Sequence, residues 1–302
     1  MSASELIVQW YQNHARELPW RQEGVSAWGI LVSEFMLQQT QVDRVLPRWL
    51  AWMERWPTPA DLAAAPVHEA IVAWDRLGYP RRALWLHRAA TTIVEDHDGQ
   101  VPTQLDALLA LTGVGEYTAR AVAVFAHRQR HPVLDTNVRR VLARLYAGKA
   151  QAGPPNWVRD LVEAAEHWPE DPEQARLYSY AVMEFGAVIC TARTPKCGEC
   201  PVRQYCAWAN AGYPEYSGAR IKPQARFEGS DREARGQMMA LLRANPGQHF
   251  EAFELLALIP DADRAKRALQ SLVRDGLVQA DTEHEVTQYR LPTTVSGIPA
   301  SG

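Results

Sequence analysis

Residues 28–40 read WGILVSEFMLQQT, from Trp28 to Thr40. Trp28, Leu31, Val32 and Phe35 recur at i, i+3, i+4 and i+7, the spacing of one helix face. Ile30, Met36 and Leu37 make the segment apolar on nearly every side, so the sequence predicts a buried helix. Glu34 sits in its middle, the single charge between Trp28 and Leu37. A carboxylate taken out of water without a partner tends to hold a proton instead. A carboxyl with a raised pKa is what general-acid chemistry requires. A core glutamate satisfied by a backbone N–H or an arginine fits the same pattern, and this stretch alone does not separate the two.

The surrounding chain has 302 residues, 47% of them hydrophobic, enough for two domains. A formal net charge of −3 gives no global basic field, so a nucleic-acid partner would be held by local patches. Four lysines occur, at 149, 196, 222 and 266, and arginine carries the rest of the positive charge. With neither an apolar run of membrane-spanning length nor a leader pattern in the sequence, a cytoplasmic protein without a membrane partner is expected.

All four cysteines, Cys190, Cys197, Cys200 and Cys206, fall in one window with spacing C-x6-C-x2-C-x5-C. In a cytosolic chain such a cluster reads as a metal site. Four thiolates suit zinc or a 4Fe–4S cluster, and spacing leaves both open.

The rest of the first half reads as short helices punctuated by proline: 3–15, 42–55, 60–64, 66–77 and 81–96, with Thr58 and Thr103 at N-cap positions. Residues 105–109 suggest a further short helix. Gly113-Val114-Gly115 then makes a tight turn into a helix striped by Ala119, Val122, Ala123 and Ala126. Both glycines permit positive φ, and bare N–H groups at the helix start would accept a phosphate. Downstream, residues 120–149 carry seven basic residues and a single acid, Asp135. That acid is either an ion-pair partner or a catalytic carboxylate placed where phosphates bind.

Six stretches occur in this order along the chain: LPWR (18–21), SEFMLQQTQV (33–42), LGYP (77–80), LTGVGEYTAR (111–120), LDTNVRRVLAR (134–144) and the cysteine set. Together they resemble the helix-hairpin-helix DNA glycosylases of the endonuclease III superfamily, and within it the MutY-type adenine glycosylases. The resemblance covers about residues 5–212. It implies an all-α fold: a six-helix lobe over about 23–130, and an iron–sulfur lobe built from 1–22 and 131–212. DNA would lie in the cleft between them. It also implies that Cys190, Cys197, Cys200 and Cys206 hold a 4Fe–4S cluster rather than zinc.

The chemistry implied by the resemblance is monofunctional excision of adenine mispaired with 8-oxoguanine or guanine in double-stranded DNA, by a monomer. Such enzymes flip the target base out of the stack. Glu34 would protonate adenine at N7, and Asp135 would stabilise the oxocarbenium-like sugar. Tyr117 stands where bifunctional relatives place a Schiff-base lysine, and no lysine precedes Lys149. Gln39 matches the residue wedged into the stack, with Thr40 its neighbour near the opposite strand. Leu77 and Tyr79 match contacts to the estranged base. Trp20 and Arg21 match the adenine pocket. Gly113, Val114 and Gly115 match the phosphate-binding hairpin, and Arg193 and Lys196 suit phosphate contacts.

The chain departs from this pattern twice. Tyr180 stands where many relatives place a Glu or Gln that hydrogen-bonds the adenine, and it offers a single hydroxyl. The Nudix-like domain that reads 8-oxoguanine in relatives is not expected in this sequence. Residues 213–230 read instead as a linker with Arg220, Lys222 and Arg226. Residues 231–302 carry 8 basic and 10 acidic residues. Helices at 232–243, 250–258 and 261–275, then strands at 276–280 and 286–291, make a winged-helix pattern. Arg264, Lys266, Arg267 and Arg274 form the basic face of its third helix. A thymine–guanine mismatch glycosylase and a non-enzymatic iron–sulfur DNA sensor are the alternative readings. Retention of both Glu34 and Asp135 favours an enzyme.

Overall fold

The computed structural model describes residues 1–219, 226–282 and 286–294. The chain runs through α1 (Ala3–His14), α2 (Ala27–Leu37), α3 (Val42–Arg55), α4 (Pro59–Ala64), α5 (Val67–Trp74), α6 (Arg81–Asp96), α7 (Leu105–Ala110) and α8 (Glu116–Phe125). It continues through α9 (Thr136–Leu145), α10 (Trp157–Ala165), α11 (Pro172–Val188), α12 (Ala207–Asn210), α13 (Asp231–Ala244), α14 (Ala252–Leu256) and α15 (Ala262–Arg274). Strands β1 (Phe250–Glu251), β2 (Gln279–Asp281) and β3 (Gln288–Arg290) form one antiparallel sheet in the order β1-β3-β2, with Ala280 opposite Tyr289. The fold is all-α with a small winged-helix-like C-terminal part. No helix among the described residues is long and apolar enough to cross a membrane.

Local chemistry sets the boundaries. Ser2 and Thr58 cap α1 and α4 in reciprocal capping boxes with Glu5 and Asp61. Thr103 does not cap α7. That helix begins at Leu105, and the Gln104 carbonyl accepts the first helical bond, from Leu108 N–H. The Thr103 carbonyl instead receives the Gln129 side-chain amide at 2.7 Å. α5 stops at Trp74, short of the expected Leu77, because Asp75 turns to φ 43°. Residues 250–258 do not form one helix, since Phe250 and Glu251 pair with β3 before α14 begins. Arg220 and Lys222 of the expected linker lie outside the described residues.

The chain forms two compact units. The first comprises Met1–Ile30, Thr103–Leu109 and Val114–Lys222. Its core sits where α11 packs on α1 and α9, around Ile7, Val138, Val141, Tyr178, Val182 and Phe185. Trp168 closes it edge-on to Tyr178, with ring centres 5.0 Å apart. α8 packs on α11 and counts with the first unit.

The second unit comprises Leu31–Pro102, Ala110–Gly113 and Pro223–Gly302. Here α6 packs on α4 and α5, and Trp52, Trp56 and Trp74 meet edge to face. α15 packs on α13 and α14, and α13 in turn lies on α5. The described C-terminal residues count with this unit.

Candidate functional site

In the second unit, α2 is buried as its pattern demands. Leu31, Val32, Phe35 and Met36 are fully buried, and Glu34 among them is 4% exposed. The helix ends at Leu37, and Gln39 adopts φ 55°, a left-handed conformation unfavourable for a residue with a side chain. Gln39 is exposed.

What holds that end is Arg82, which the sequence reading did not single out. Its Nη1 donates to the carbonyls of Phe35 (2.8 Å), Met36 (3.3 Å) and Gln38 (2.5 Å), the unsatisfied acceptors of the α2 C-terminus. Its Nη2 donates to Thr40 Oγ1 at 3.1 Å and to the Gly78 carbonyl at 3.0 Å. Burial lowers the Arg82 pKa to about 10. One guanidinium thus ties the Glu34 helix to the segment carrying Leu77 and Tyr79. Thr40 completes the tie, donating to the Leu77 carbonyl at 3.0 Å. Thr40 and Leu77 are buried, while Tyr79 is 43% exposed at φ 46°. Gln39 and Tyr79 therefore face solvent from strained positions, and Thr40 and Leu77 hold them there.

Gly113 has φ 81°, as expected. A Cβ there would come within 2.8 Å of Trp85 Cβ and 2.9 Å of Phe35 Cε1, so the position also demands the missing side chain. Gly115 corrects the expectation. Its φ is −101°, an extended N-cap for α8 that requires no left-handed freedom. Val114 is buried, Gly115 is exposed, and Tyr117 is half-buried in the first turn of α8.

In the first unit, Asp135 is the N-cap of α9. Its Oδ1 accepts Val138 N–H at 2.6 Å and its Oδ2 accepts the Asn137 amide at 2.9 Å. Burial raises its pKa despite these donors. Its ties are those of a cap, with the Arg140 charge acting on it through space. The basic run around it is largely engaged within the fold. Arg139 pairs with Asp160, Arg130 with Glu170 and Arg128 with Glu173. Arg140 donates to the carbonyls of Gly186 (2.6 Å) and Cys190 (2.8 Å), and Arg144 to those of Thr191 (2.7 Å) and Ala192 (3.1 Å).

The residues of this unit expected to line the base pocket lie among aromatic rings. Trp20 is buried in a short turn of helix. Tyr180 stacks on Phe125 with ring centres 4.1 Å apart, and on Tyr11 at 6.5 Å. The Arg21 guanidinium lies 5.4 Å from the Tyr180 ring centre. Arg21 is fixed by Glu184, which it meets at 2.8 Å, and Arg16 meets the same carboxylate at 2.5 Å. Glu184 is fully buried. Burial alone would raise its pKa, but the two arginines hold it below the usual value. The sequence reading missed it, although Glu184 is the single charge between Arg176 and Arg193, the same signal that exposed Glu34.

Cys190, Cys197, Cys200 and Cys206 are free thiols, all half-buried, and line one small pocket. Val141, Leu145, Phe185 and Ile189 wall it. Burial above all pushes the Cys200 thiol up to about 11, and the other three cysteines add to the effect. A bound group that takes thiolates would offset that cost. Among the described residues no three His, Cys, Asp or Glu side chains converge on a single-ion site. Four cysteine thiols lining one pocket are a donor set that fits a 4Fe–4S cluster. Arg144 Nη1 lies 3.4 Å from Cys190 Sγ, a donor suited to thiolate. Arg193 and Lys196 are exposed on the loop between the first two cysteines.

Comparison with known proteins bears on both units. Residues 32–167 match a family described as HhH-GPD superfamily base excision DNA repair protein. Residues 190–206 match the iron–sulfur binding domain of endonuclease III. An adenine DNA glycosylase of Mycobacterium tuberculosis is 50% identical over 272 residues, 90% of this chain and 88% of that protein. One from Mycolicibacterium smegmatis is 48% identical over 273 residues, covering 90% and 91%. A solved structure of a thermostable thymine-DNA glycosylase superposes with a TM-score of 0.63 at 27% identity, covering 69% of this chain and 95% of that one.

Proposed function

The chain belongs to the adenine DNA glycosylases of the helix-hairpin-helix base excision repair superfamily, and from that premise we propose that it excises adenine mispaired with 8-oxoguanine or guanine. It is a DNA glycosylase, and Cys190, Cys197, Cys200 and Cys206 form its iron–sulfur segment. The 4Fe–4S cluster they would hold orders that segment when bound. The reaction runs on this chain's own carboxylates.

Glu34, buried in an apolar helix, donates a proton to adenine N7. The C1′–N9 bond then breaks, its electron pair stays on the now neutral base, and positive charge develops at C1′ and the ring oxygen. Asp135 stabilises that charge, its oxygens aimed by Asn137 and by Val138 N–H. Glu34, now ionised, takes a proton from the water that adds to C1′. With Tyr117 in place of a lysine, no Schiff base forms and the strand stays intact. Gln39 fills the space left by the flipped adenine, and Tyr79 contacts the opposite base. Trp20, Arg21 and Tyr180 line the base pocket. Gly113, Val114 and Gly115 meet the backbone, as do Arg193 and Lys196.

The observation that carries this reading is Glu34, a single carboxyl enclosed by fully buried apolar neighbours on α2. We retain 1–212 as the glycosylase domain, 213–230 as a linker and 231–302 as a winged-helix-like domain. The protein acts as a monomer on DNA in the cytoplasm of a bacterial cell, associated with the nucleoid. Tyr180, stacked on Phe125 where relatives offer a polar side chain, favours a second reading in which thymine opposite guanine is also excised. Single-turnover excision on duplexes carrying A opposite 8-oxoguanine, G or C, and T opposite G, separates them. Excision of adenine opposite 8-oxoguanine or G is expected. Excision of T alone would replace the first reading with the second.

A further inference from the structure

The segment from Asp75 to Arg81 carries Tyr79 on an improbable backbone. Asp75 (φ 43°), Gly78 (φ 84°) and Tyr79 (φ 46°) all lie in the left-handed region. Two of the three bear side chains, and such a conformation persists where surrounding structure over-determines it. Part of that structure is local to the glycosylase helices. Arg48 pairs with Asp75, Arg44 donates to the Arg76 carbonyl, and Trp74 Nε1 donates to the Gly78 carbonyl at 3.0 Å.

The rest comes from the C-terminal residues. Asp275, just past α15, pairs with Arg81 at 3.6 Å and with Arg235 of α13 at 2.7 Å. Arg235 also donates to Ser271 Oγ at 2.5 Å, so the Asp275 carboxylate is anchored on its own side. Near the other end of the segment, the charge of half-buried Arg243 acts through space on Asp75 and Arg76. α13 packs on α5, and Val67 N–H donates to the Thr293 carbonyl at 3.3 Å. The Arg81 end of the Tyr79 segment is thus gripped from the C-terminal side.

We propose that the winged-helix-like residues brace the Tyr79 segment, with Asp275 as the positioning residue, and so govern how the enzyme responds to the base opposite the excised adenine. The proposal rests on the reading of Tyr79 as the contact to that base. Bracing accounts for the charge of these residues better than groove reading does. Residues 231–302 hold 10 acids against 8 bases, and Arg267 of the third helix is paired with Asp231.

The test compares three duplexes carrying adenine opposite 8-oxoguanine, opposite G, or opposite an abasic analogue that offers no base. Excision rates and affinities with a non-cleavable adenine analogue are measured on each. Asp275→Asn and Arg81→Gln are expected to weaken binding about fivefold (about 1 kcal/mol) where a base is present, and to match wild type opposite the abasic analogue. Asp275→Glu should restore the difference between duplexes. Equal losses on all three duplexes, or no loss on any, would overturn the brace. Should Asp275→Asn fail to fold, Arg81→Gln carries the same test from the other side of the pair. Tyr79→Ala separates the two layers. If it keeps the dependence on the opposite base, the reading of Tyr79 falls and the brace with it. If it loses that dependence while Asp275→Asn and Arg81→Gln keep it, the brace alone falls.

Discussion

Asn137 donates its side-chain amide to the Asp135 carboxylate at 2.9 Å while its own carbonyl oxygen accepts Arg140 Nη2 at 2.8 Å. Arg140 Nε donates in turn to the Cys190 carbonyl at 2.8 Å. The proposed cation-stabilising carboxylate is therefore wired, inside one compact unit, to the first residue of the iron–sulfur segment.

That wiring sets the acid side of the pH–rate profile. Burial raises the Asp135 pKa above its ordinary 3.8, and the Asn137 amide opposes the rise. Activity needs the ionised form, so single-turnover excision should fall on the acid side at a pH above that ordinary value. Removing the amide in Asn137→Ala should move this limb upward by about one pH unit, the worth of one hydrogen bond to a charge. An unmoved limb would mean that another group sets it.

Anaerobically purified protein should carry about four irons and matching sulfide per chain, with absorption in the visible blue. The segment from Cys190 to Cys206 offers little apolar surface of its own, so the bound group orders it. Cys197→Ala should weaken duplex binding and flatten its salt dependence, because Arg193 and Lys196 lose their fixed positions. One zinc per chain without iron would contradict the assignment.

The wild-type enzyme should leave an intact abasic site that nicks only after alkali or heat. Borohydride should trap no covalent complex, since the first lysine in the chain is Lys149. Tyr117→Lys should create trapping. Efficient trapping by the wild type would contradict the monofunctional reading.

Glu184 links stability to pH. Its pKa is held below the ordinary 4.5 in the folded chain, against the penalty of burial, by Arg16 and Arg21. Between the folded and unfolded values the unfolded chain binds more protons. The pair's contribution is thus complete above about pH 4.5 and is lost as pH falls through the lowered folded value. Glu184→Gln should destabilise the protein by on the order of 3 kcal/mol at neutral pH, by leaving Arg21 uncompensated. The gap to wild type should narrow below about pH 4. A gap independent of pH would show that packing, not charge, sets the cost.

The burial of Glu34 was legible because a lone charge inside an apolar helical run is a local pattern, and the cysteine segment because ligand spacing is local too. The partners that position them were not. Arg82 reads as one arginine among several near 81–88, and what distinguishes it is the set of carbonyls at the end of α2, some 45 residues earlier. Glu184 carried the same sequence signal as Glu34, but its arginines lie at 16 and 21, far away in the chain. The run from Arg120 to Lys149 suggested a phosphate surface. Tertiary structure instead engages Arg128, Arg130, Arg139, Arg140 and Arg144 with acids and carbonyls of the fold. Backbone details failed for a related reason. Asp75 ends α5 where its carboxylate meets Arg48, and Gly115 stays extended as the N-cap of α8.

The most direct test is single-turnover excision of adenine opposite 8-oxoguanine by Glu34→Gln, with duplex affinity measured on the same preparation. The amide keeps the shape of the side chain and removes its proton. The rate should fall by about three orders of magnitude or more, with affinity within about threefold of wild type. A rate within about tenfold of wild type, only ~1.4 kcal/mol in the barrier, would contradict Glu34 as the acid that releases the base.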